Sequence, residues 1–426
     1  MEQVRGSLWR QPDFVKLWVG QAISNFGSHI TWQALPLTAM LVLGAGPTEL
    51  GLLAATGTAP VLFFGLVAGV WVDRLPRRPV MIVADLGRMV LLGSIPVAAF
   101  FSALTIIQLF VVAALTGLLT VFFDVADQSY LPSLVEREHI MEGNSKITAS
   151  KSLAEITGQP IGGVLVQVLT APFAIAVDAA SFLVSALCIG LIRKPENRST
   201  EPEEAQPMLR EALEGLQVVF KNKIQRALVL SEVQRAFFGS FIGTLYMIFI
   251  IRELQMPVWV SGVLIGVGGI SSLAGSVIAR RLTGRIGIGK SLIWSALLTS
   301  LITMLIPLAA GPFWLAFGLL VISQAGDIGW SIYLINQTSL RQSITPERQL
   351  GRVNASLYFL EGVAGLVGAV LSGGLGDLIG VRTTLFVAVA GFLAALGWLY
   401  FSPVRHLKEL DEISPPLENL EKAGVN

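Results

Sequence analysis

Hydrophobic residues run along this chain in long blocks parted by short polar turns, and the blocks recur almost from end to end. A helix crossing about 30 Å of hydrocarbon needs about 20 residues. Twelve stretches reach that length: 14–43, 49–72, 79–101, 104–127, 144–169, 172–193, 225–251, 258–279, 290–309, 313–336, 352–375 and 381–401. Backbone groups left unbonded in lipid are costly, and each stretch is too long for a barrel strand, so the pattern predicts helices.

The turns between the blocks alternate in charge. "DRLPRR", "VEREH", "RKPENRSTEPEE…KNK", "ARRLTGR", "RQSITPERQLGR" and the tail "RHLKELDE" hold nearly all the Lys and Arg, whereas "GAGPTE", "SALT", "TAP", "RELQMP" and "AAGP" hold only Arg252. The positive-inside bias therefore predicts cytoplasmic N- and C-termini. The first residues, "MEQVRGSLWRQPDFVK", lack the apolar core and small-residue cleavage site of a signal peptide, so the first helix is expected to serve as the insertion signal.

The chain also repeats itself. "NFGSHI" (25–30) returns as "FFGSFI" (237–242), and "DQSYLPSLVEREHIMEGNS" (127–145) returns with one insertion as "NQTSLRQSITPERQLGRVNA" (336–355). Gly158 and Gly163 then fall on Gly368 and Gly373. Such an offset implies two six-helix halves of the same orientation, related by an axis along the membrane normal. The expected class is an all-α membrane protein of twelve transmembrane helices in two pseudo-symmetric bundles, 1–193 and 225–402. A cytoplasmic linker at 194–224 with a short amphipathic helix and a tail at 403–426 complete the plan.

Composition narrows the function. The 426 residues are 53% hydrophobic and only 14% charged, against about a quarter charged in soluble domains. A formal net charge of +1 excludes a polyanion-binding surface, so nucleic acid is not an expected partner. The single cysteine, Cys188, and three scattered histidines, His29, His139 and His406, give no metal-ligand or disulfide spacing. No nucleophile, base and orienting group fall together, so no enzyme is expected.

After the second apolar block comes Gly69-Val-Trp-Val-Asp73-Arg74-Leu-Pro-Arg77-Arg78. With this motif between two spanning segments, the chain resembles the major facilitator superfamily, whose second loop carries G-x-x-x-D-R-x-x-R-R/K. The resemblance implies that Gly69 permits close helix approach, Asp73 caps a neighbouring helix, and Arg74, Arg77 and Arg78 bond carbonyls and carboxylates at the cytoplasmic gate. The second half has only a degenerate copy, "GSVIARRLTGR", with Ala279 at the acidic position. "FVKLWVGQAISNFGSHITWQALPL", "YLPSLV" and "LREALEGLQVVFKN" make the chain similar to the exporter branch that includes macrolide efflux proteins and the enterobactin exporter. In helix 5, "EITGQPIGGVLVQ" loosely resembles the Gly-Pro signature of superfamily antiporters. Gly158, Pro160, Gly162 and Gly163 either soften that helix against a moving partner or serve ordinary small-residue packing.

Charged side chains at bilayer depth cost about 2.5–3.5 kcal/mol on insertion scales, so each needs a role or a partner. Asp124 and Asp127 lie one turn apart near the cytoplasmic end of helix 4, where pairing with Arg74 or Arg78 at the gate and contact with protons or cargo both fit. Asp327 stands near the middle of helix 10, either as a proton-coupling carboxylate or paired with Arg235. Lys151 with Glu155, and Glu232 with Arg235, have the spacing for mutual neutralisation on one helix. Glu361 falls opposite Lys151 by the repeat register and has no local partner.

One polar stripe interrupts helix 1. Gln21, Asn25, His29 and Gln33 are four apart and share one helix face, which is expected to line the central cavity. Exporters of this branch often carry an acid after the motif glycine, whereas Ser28 and His29 follow Gly27 here. His29 either titrates in place of that acid or stays neutral and hydrogen-bonded.

These readings together imply a monomeric secondary transporter of the inner membrane, rocking two halves about a central cavity and exporting small amphipathic molecules against proton entry. Proton-coupling candidates are Asp327, Glu361, His29, Asp124 and Asp127. Trp32, Tyr246, Trp330, Tyr333 and Arg235 would join the helix 1 stripe in contacting cargo. No G-x-x-x-x-G-K-[ST] loop appears, so the proton gradient and no cofactor is the expected energy source. Export of an endogenous siderophore, lysolipid movement, proton-coupled uptake and a non-transporting sensor remain open alternatives.

Overall fold

The computed structural model describes residues 8–194 and 219–408. Most of the expected linker and the tail beyond residue 408 lie outside the described residues, as do the surroundings of Gly69 and the side chains of Asp73 and Arg74.

Twelve long helices follow one another with short turns among the described residues. They are α1 Pro12–Val42, α2 Pro47–Arg74, α3 Arg77–Phe100, α4 Ile106–Leu134, α5 Ile140–Leu169, α6 Ala171–Gly190, α7 Lys223–Ile248 and α8 Val258–Ile286. Next come α9, in two pieces Ile288–Thr303 and Leu305–Leu308, α10, in two pieces Phe313–Ser323 and Gly326–Ile344, α11 Glu347–Ile379 and α12 Val381–Tyr400. Ten are long and apolar enough to cross a membrane by length and composition. The two outside that set are α1 and α5, whose polar positions lower their hydropathy. Local sequence starts the helices in familiar ways: Thr105 accepts from Gln108 N ahead of α4, and Glu49 accepts from Gly46 N at 2.8 Å ahead of α2.

Two compact units emerge. One comprises Met1–Ala205 with Tyr246–Gly266, the other Gln206–Leu245 with Val267–Asn426, so the end of α7 and the start of α8 group with the first six helices. In the first unit α1 packs on α5 and α6, α3 on α4 and α6, and α2 on α4. In the second, α9 packs on the second piece of α10 and on α12. Within a bilayer such contacts depend on small residues that let backbones approach. A Cβ on Gly117 of α4 would lie 2.6 Å from the Gly57 carbonyl of α2.

The internal repeat is visible in these contacts. Gly158 of α5 seats against Phe26 O and the His29 side chain of α1, and its counterpart Gly368 of α11 seats against Phe237 O and Ser240 of α7. The turns that follow α5 and α11 are single residues with the same left-handed backbone, Thr170 (φ 71°, ψ 159°) and Gly380 (φ 87°, ψ 151°). Glycine adopts that conformation freely, whereas a β-branched residue there stores about 1–3 kcal/mol. Thr170→Gly is therefore expected to stabilise the protein by about 1 kcal/mol or more, read as a higher melting temperature in detergent. An unchanged or lower midpoint would remove the strain argument.

Candidate functional site

Basic side chains first organise one end of the first unit. Arg77 donates to Ser129 O at 3.0 Å, and Arg78 donates to Ile189 O at 3.0 Å and to Gly190 O at the end of α6. Lys194 Nζ reaches Leu134 O, the last carbonyl of α4, at 2.9 Å, and Lys16 Nζ reaches Leu191 O at 2.9 Å. These cations sit where α4 and α6 expose unbonded carbonyls and the negative end of the helix dipole. The expected pairing of Arg78 with Asp124 or Asp127 does not occur, because helix-end carbonyls take up its guanidinium.

Asp124 and Asp127 belong instead to a cluster deeper in that unit. Arg88 of α3 is buried, forms an ion pair with Asp85 one turn earlier, and lies between two rings, 4.4 Å from the centroid of Phe123 and 4.2 Å from that of Phe182. Its charge also acts on Asp124 of α4 and Asp178 of α6. Asp178 accepts from Ser181 Oγ at 3.0 Å, and Asp127 accepts from Gln21 Nε2 of α1. One buried guanidinium thus serves three carboxylates, Asp85, Asp124 and Asp178, while Asp127 lies beside Asp124 and under the charge of Lys151. Lys151, a further base whose charge acts on Asp124 and Asp127, is exposed. Asp85, Arg88 and Asp178 were not among the sequence candidates. Gly27, in the motif "NFGSHI", faces this cluster: a Cβ there would lie 2.5 Å from Asp178 Oδ1. Helix 1 needs glycine at that point so that α6 can bring its carboxylate against the α1 backbone.

The second unit carries a counterpart with different chemistry. Glu232 of α7 accepts from Gln337 Nε2 of α10 and pairs with Arg341 at 3.4 Å. An amide–carboxylate bond therefore ties the first helix to the fourth in each half, with the carboxylate on α4 in one and on α7 in the other. Asn336, the repeat counterpart of Asp127, is neutral; it accepts from Thr283 Oγ1 at 2.8 Å and donates to Ser291 Oγ at 3.2 Å. Arg341 makes the direct ion pair with Glu232, and the charge of Arg235, the partner expected from the spacing, acts on the same carboxylate without a direct contact. Glu361 lies close enough for Arg341 to attract it and for Glu232 to repel it.

Arg235 does not meet Asp327 either. Only 3% exposed, it stands among aromatic rings, 5.4 Å from the centroid of Trp330 and 5.0 Å from those of Tyr333 and Phe392. Its Nε and Nη1 find no acceptor among the described residues. Trp330 and Tyr333 stack at 5.7 Å, and Tyr333 is fully buried, its hydroxyl 3.3 Å from Ser231 Oγ. The expected continuous helix 10 is broken at Gln324 and Ala325, so Asp327 lies in the first turn of the second piece and not at a helix middle. Tight turns link Asp327 N to Gln324 O and Ile328 N to Ala325 O, both at 3.2 Å. The positive end of that second piece suits an acidic side chain. Gly268 of α8 leaves the room it occupies, since a Cβ there would lie 2.5 Å from Asp327 Oδ2 and 2.9 Å from Gln324 Oε1. No charged side chain acts on Asp327 among the described residues.

The helix 1 stripe divides. Gln21 and Gln33 are buried in packing contacts, Gln33 donating to Ser261 Oγ of α8 at 2.8 Å. Asn25, which donates to Gln21 O at 2.7 Å, and His29, which feels the charge of Glu155, are half-buried. Trp32 is 61% exposed and Tyr246 half-buried. In α5, a Cβ on Gly162 would lie 3.2 Å from Ile30 Cα of α1, while Gly163 and Pro160 meet Gly262 and Gly266 of α8. Close packing thus uses every residue of the helix 5 motif.

Comparison with known proteins agrees with this architecture. The Major Facilitator Superfamily profile matches residues 17–369. The chain is 27% identical over 405 residues to the multidrug efflux pump Tap of Mycolicibacterium fortuitum, covering 92% of this chain and 95% of that protein. It is 26% identical over 380 residues to macrolide efflux protein A of Streptococcus pyogenes, covering 87% and 90%. Among solved structures it resembles the nucleoside transporter NupG with a TM-score of 0.74 at 13% identity, over 91% of this chain and 98% of that one. With the profile spanning most of twelve helices built on an internal repeat, the chain belongs to the major facilitator superfamily of membrane transporters.

Proposed function

We propose that this transporter exports small amphipathic organic molecules of the drug or antibiotic type, alternating access between the two sides of the inner membrane and drawing its energy from proton entry. The observation that carries the reading is the excess of acid inside the first unit, where Asp85, Asp124 and Asp178 share Arg88, the one buried Lys or Arg of that unit among the described residues, and Asp127 stands beside Asp124. Uncompensated carboxylates are expensive at bilayer depth. Proton binding neutralises the excess, and a change of proton occupancy shifts the balance between two packings of the helices. Asp327, without a basic partner among the described residues, adds a further carboxylate whose charge a proton can cancel. The names of the relatives, a multidrug efflux pump and a macrolide efflux protein, support the cargo class.

In this reading the termini face the cytoplasm, the chain acts as a monomer, and no cofactor takes part. Asn25, His29, Trp32 and Tyr246 of the first unit supply adaptable hydrogen bonds and aromatic surface to cargo.

Proteoliposomes with the proton concentration raised on one side test the proposal. A radiolabelled macrolide is expected to move toward the acidic side in the presence of the gradient and to stop when a protonophore collapses it. Movement of cargo in the same direction as protons would replace export with uptake. Movement indifferent to the gradient would end the coupling proposal.

A further inference from the structure

A cavity of about 600 Å³ opens in the second unit between the start of α7 and the end of α12. Lys223, Arg226 and Leu230 stand on its α7 side, and Ala394, Trp398 and Phe401 on its α12 side. Both basic side chains are exposed, and neither pairs with a carboxylate among the described residues. The wall is held in place by Gln234, which accepts from Trp398 Nε1 at 2.7 Å and donates to Gly391 O at 3.0 Å. Away from the two cations the lining is mainly apolar, with Gln234 and Ser402 its polar members.

That order, two cations at a helix end and apolar side chains along the spanning direction, matches an amphipath with its anion at the membrane surface. The aromatic run Trp398, Tyr400 and Phe401, all exposed, marks the depth at which such residues meet headgroups. Basic pockets between spanning helices suit anionic lipid headgroups. We propose that this cavity is a binding site for an anionic phospholipid, with its phosphate between Lys223 and Arg226 and an acyl chain along Leu230, Ala394, Trp398 and Phe401. The site is separate from the carboxylate clusters, so its fate does not depend on the direction or cargo of transport.

The full chain in nanodiscs of phosphatidylcholine, with and without phosphatidylglycerol, provides the test, read by native mass spectrometry of retained lipid and by thermal unfolding. The parent is expected to retain phosphatidylglycerol in preference to phosphatidylcholine and to melt higher in its presence. Each cation near a headgroup contributes enough that Lys223→Gln with Arg226→Gln lowers phosphatidylglycerol retention about tenfold or more. The exchange Lys223→Arg with Arg226→Lys keeps both charges and the preference, as does Arg280→Gln with Arg281→Gln on α8. Equal retention of the two lipids by the parent, equal phosphatidylglycerol retention by the parent and the neutralised double variant, or loss of preference in the charge-conserving exchange would each overturn the site.

Discussion

Arg88→Met is expected to lower the stability of the purified protein by about 3–5 kcal/mol, the range for removing one member of a buried ion pair. The substitution leaves Asp85, Asp124 and Asp178 without the guanidinium that acts on all three, and it removes the cation from between Phe123 and Phe182. Methionine fills much of the same volume, so the loss reports charge more than a void. Arg88→Lys keeps the charge but lacks a planar group to stack between two rings, and its stability is expected between those of parent and Arg88→Met. Adding Asp85→Asn to Arg88→Met cancels one uncompensated charge and should recover part of the loss. Unfolding in detergent measures all four proteins; an Arg88→Met midpoint equal to that of the parent would show that the cluster is not held by its cation.

The second large effect concerns energy coupling. Asp327→Asn is expected to reduce gradient-driven transport by about tenfold or more, within the usual span of a coupling free energy, while exchange of cargo across vesicles without a gradient persists. The carboxylate has no charged partner among the described residues, so its amide isostere removes the proton site with little structural penalty. Asp127→Asn provides the comparison: its amide still accepts from Gln21, so the α1–α4 link survives while one carboxylate of the excess is lost. Glu361→Gln and His29→Gln complete the series. If Asp327→Asn kept full gradient-driven transport, coupling would belong to the first unit or to Glu361.

How far the site was legible depended on where each polar residue stood. Asp124, Asp127, Glu232, Asp327 and Glu361 were visible because each interrupts an apolar run. Asp85 and Arg88 stand three apart in "VADLGRMV", the same spacing that drew attention to Glu232 and Arg235, and that rule applied to helix 3 would have found them. Asp178 in "AIAVDAASFLV" had no local signal beyond its charge. Partner choice was beyond reach. Arg235 lies one turn from Glu232 in sequence, yet Arg341 takes the ion pair, because the fourth helix of the bundle brings its own base to the same carboxylate. The helix 1 stripe was read as a single wall, but its end members face packed neighbours and only Asn25 and His29 stand between them half-buried.

The amino-acid sequence by itself determined the twelve spanning helices, the two-half repeat and the superfamily, because these follow from local properties: block length against bilayer thickness, charge alternation between turns, and motif spacing. It also located the helix 5 glycines and, through the repeat, Gly368, at which helices touch. Tertiary structure alone decided which carboxylate met which base, where helix 10 breaks, and that three acids of the first unit share one arginine. Those outcomes depend on contacts between helices distant in the chain, and in a medium that cannot solvate charge the nearest packed partner, not the nearest neighbour in sequence, carries the larger energy.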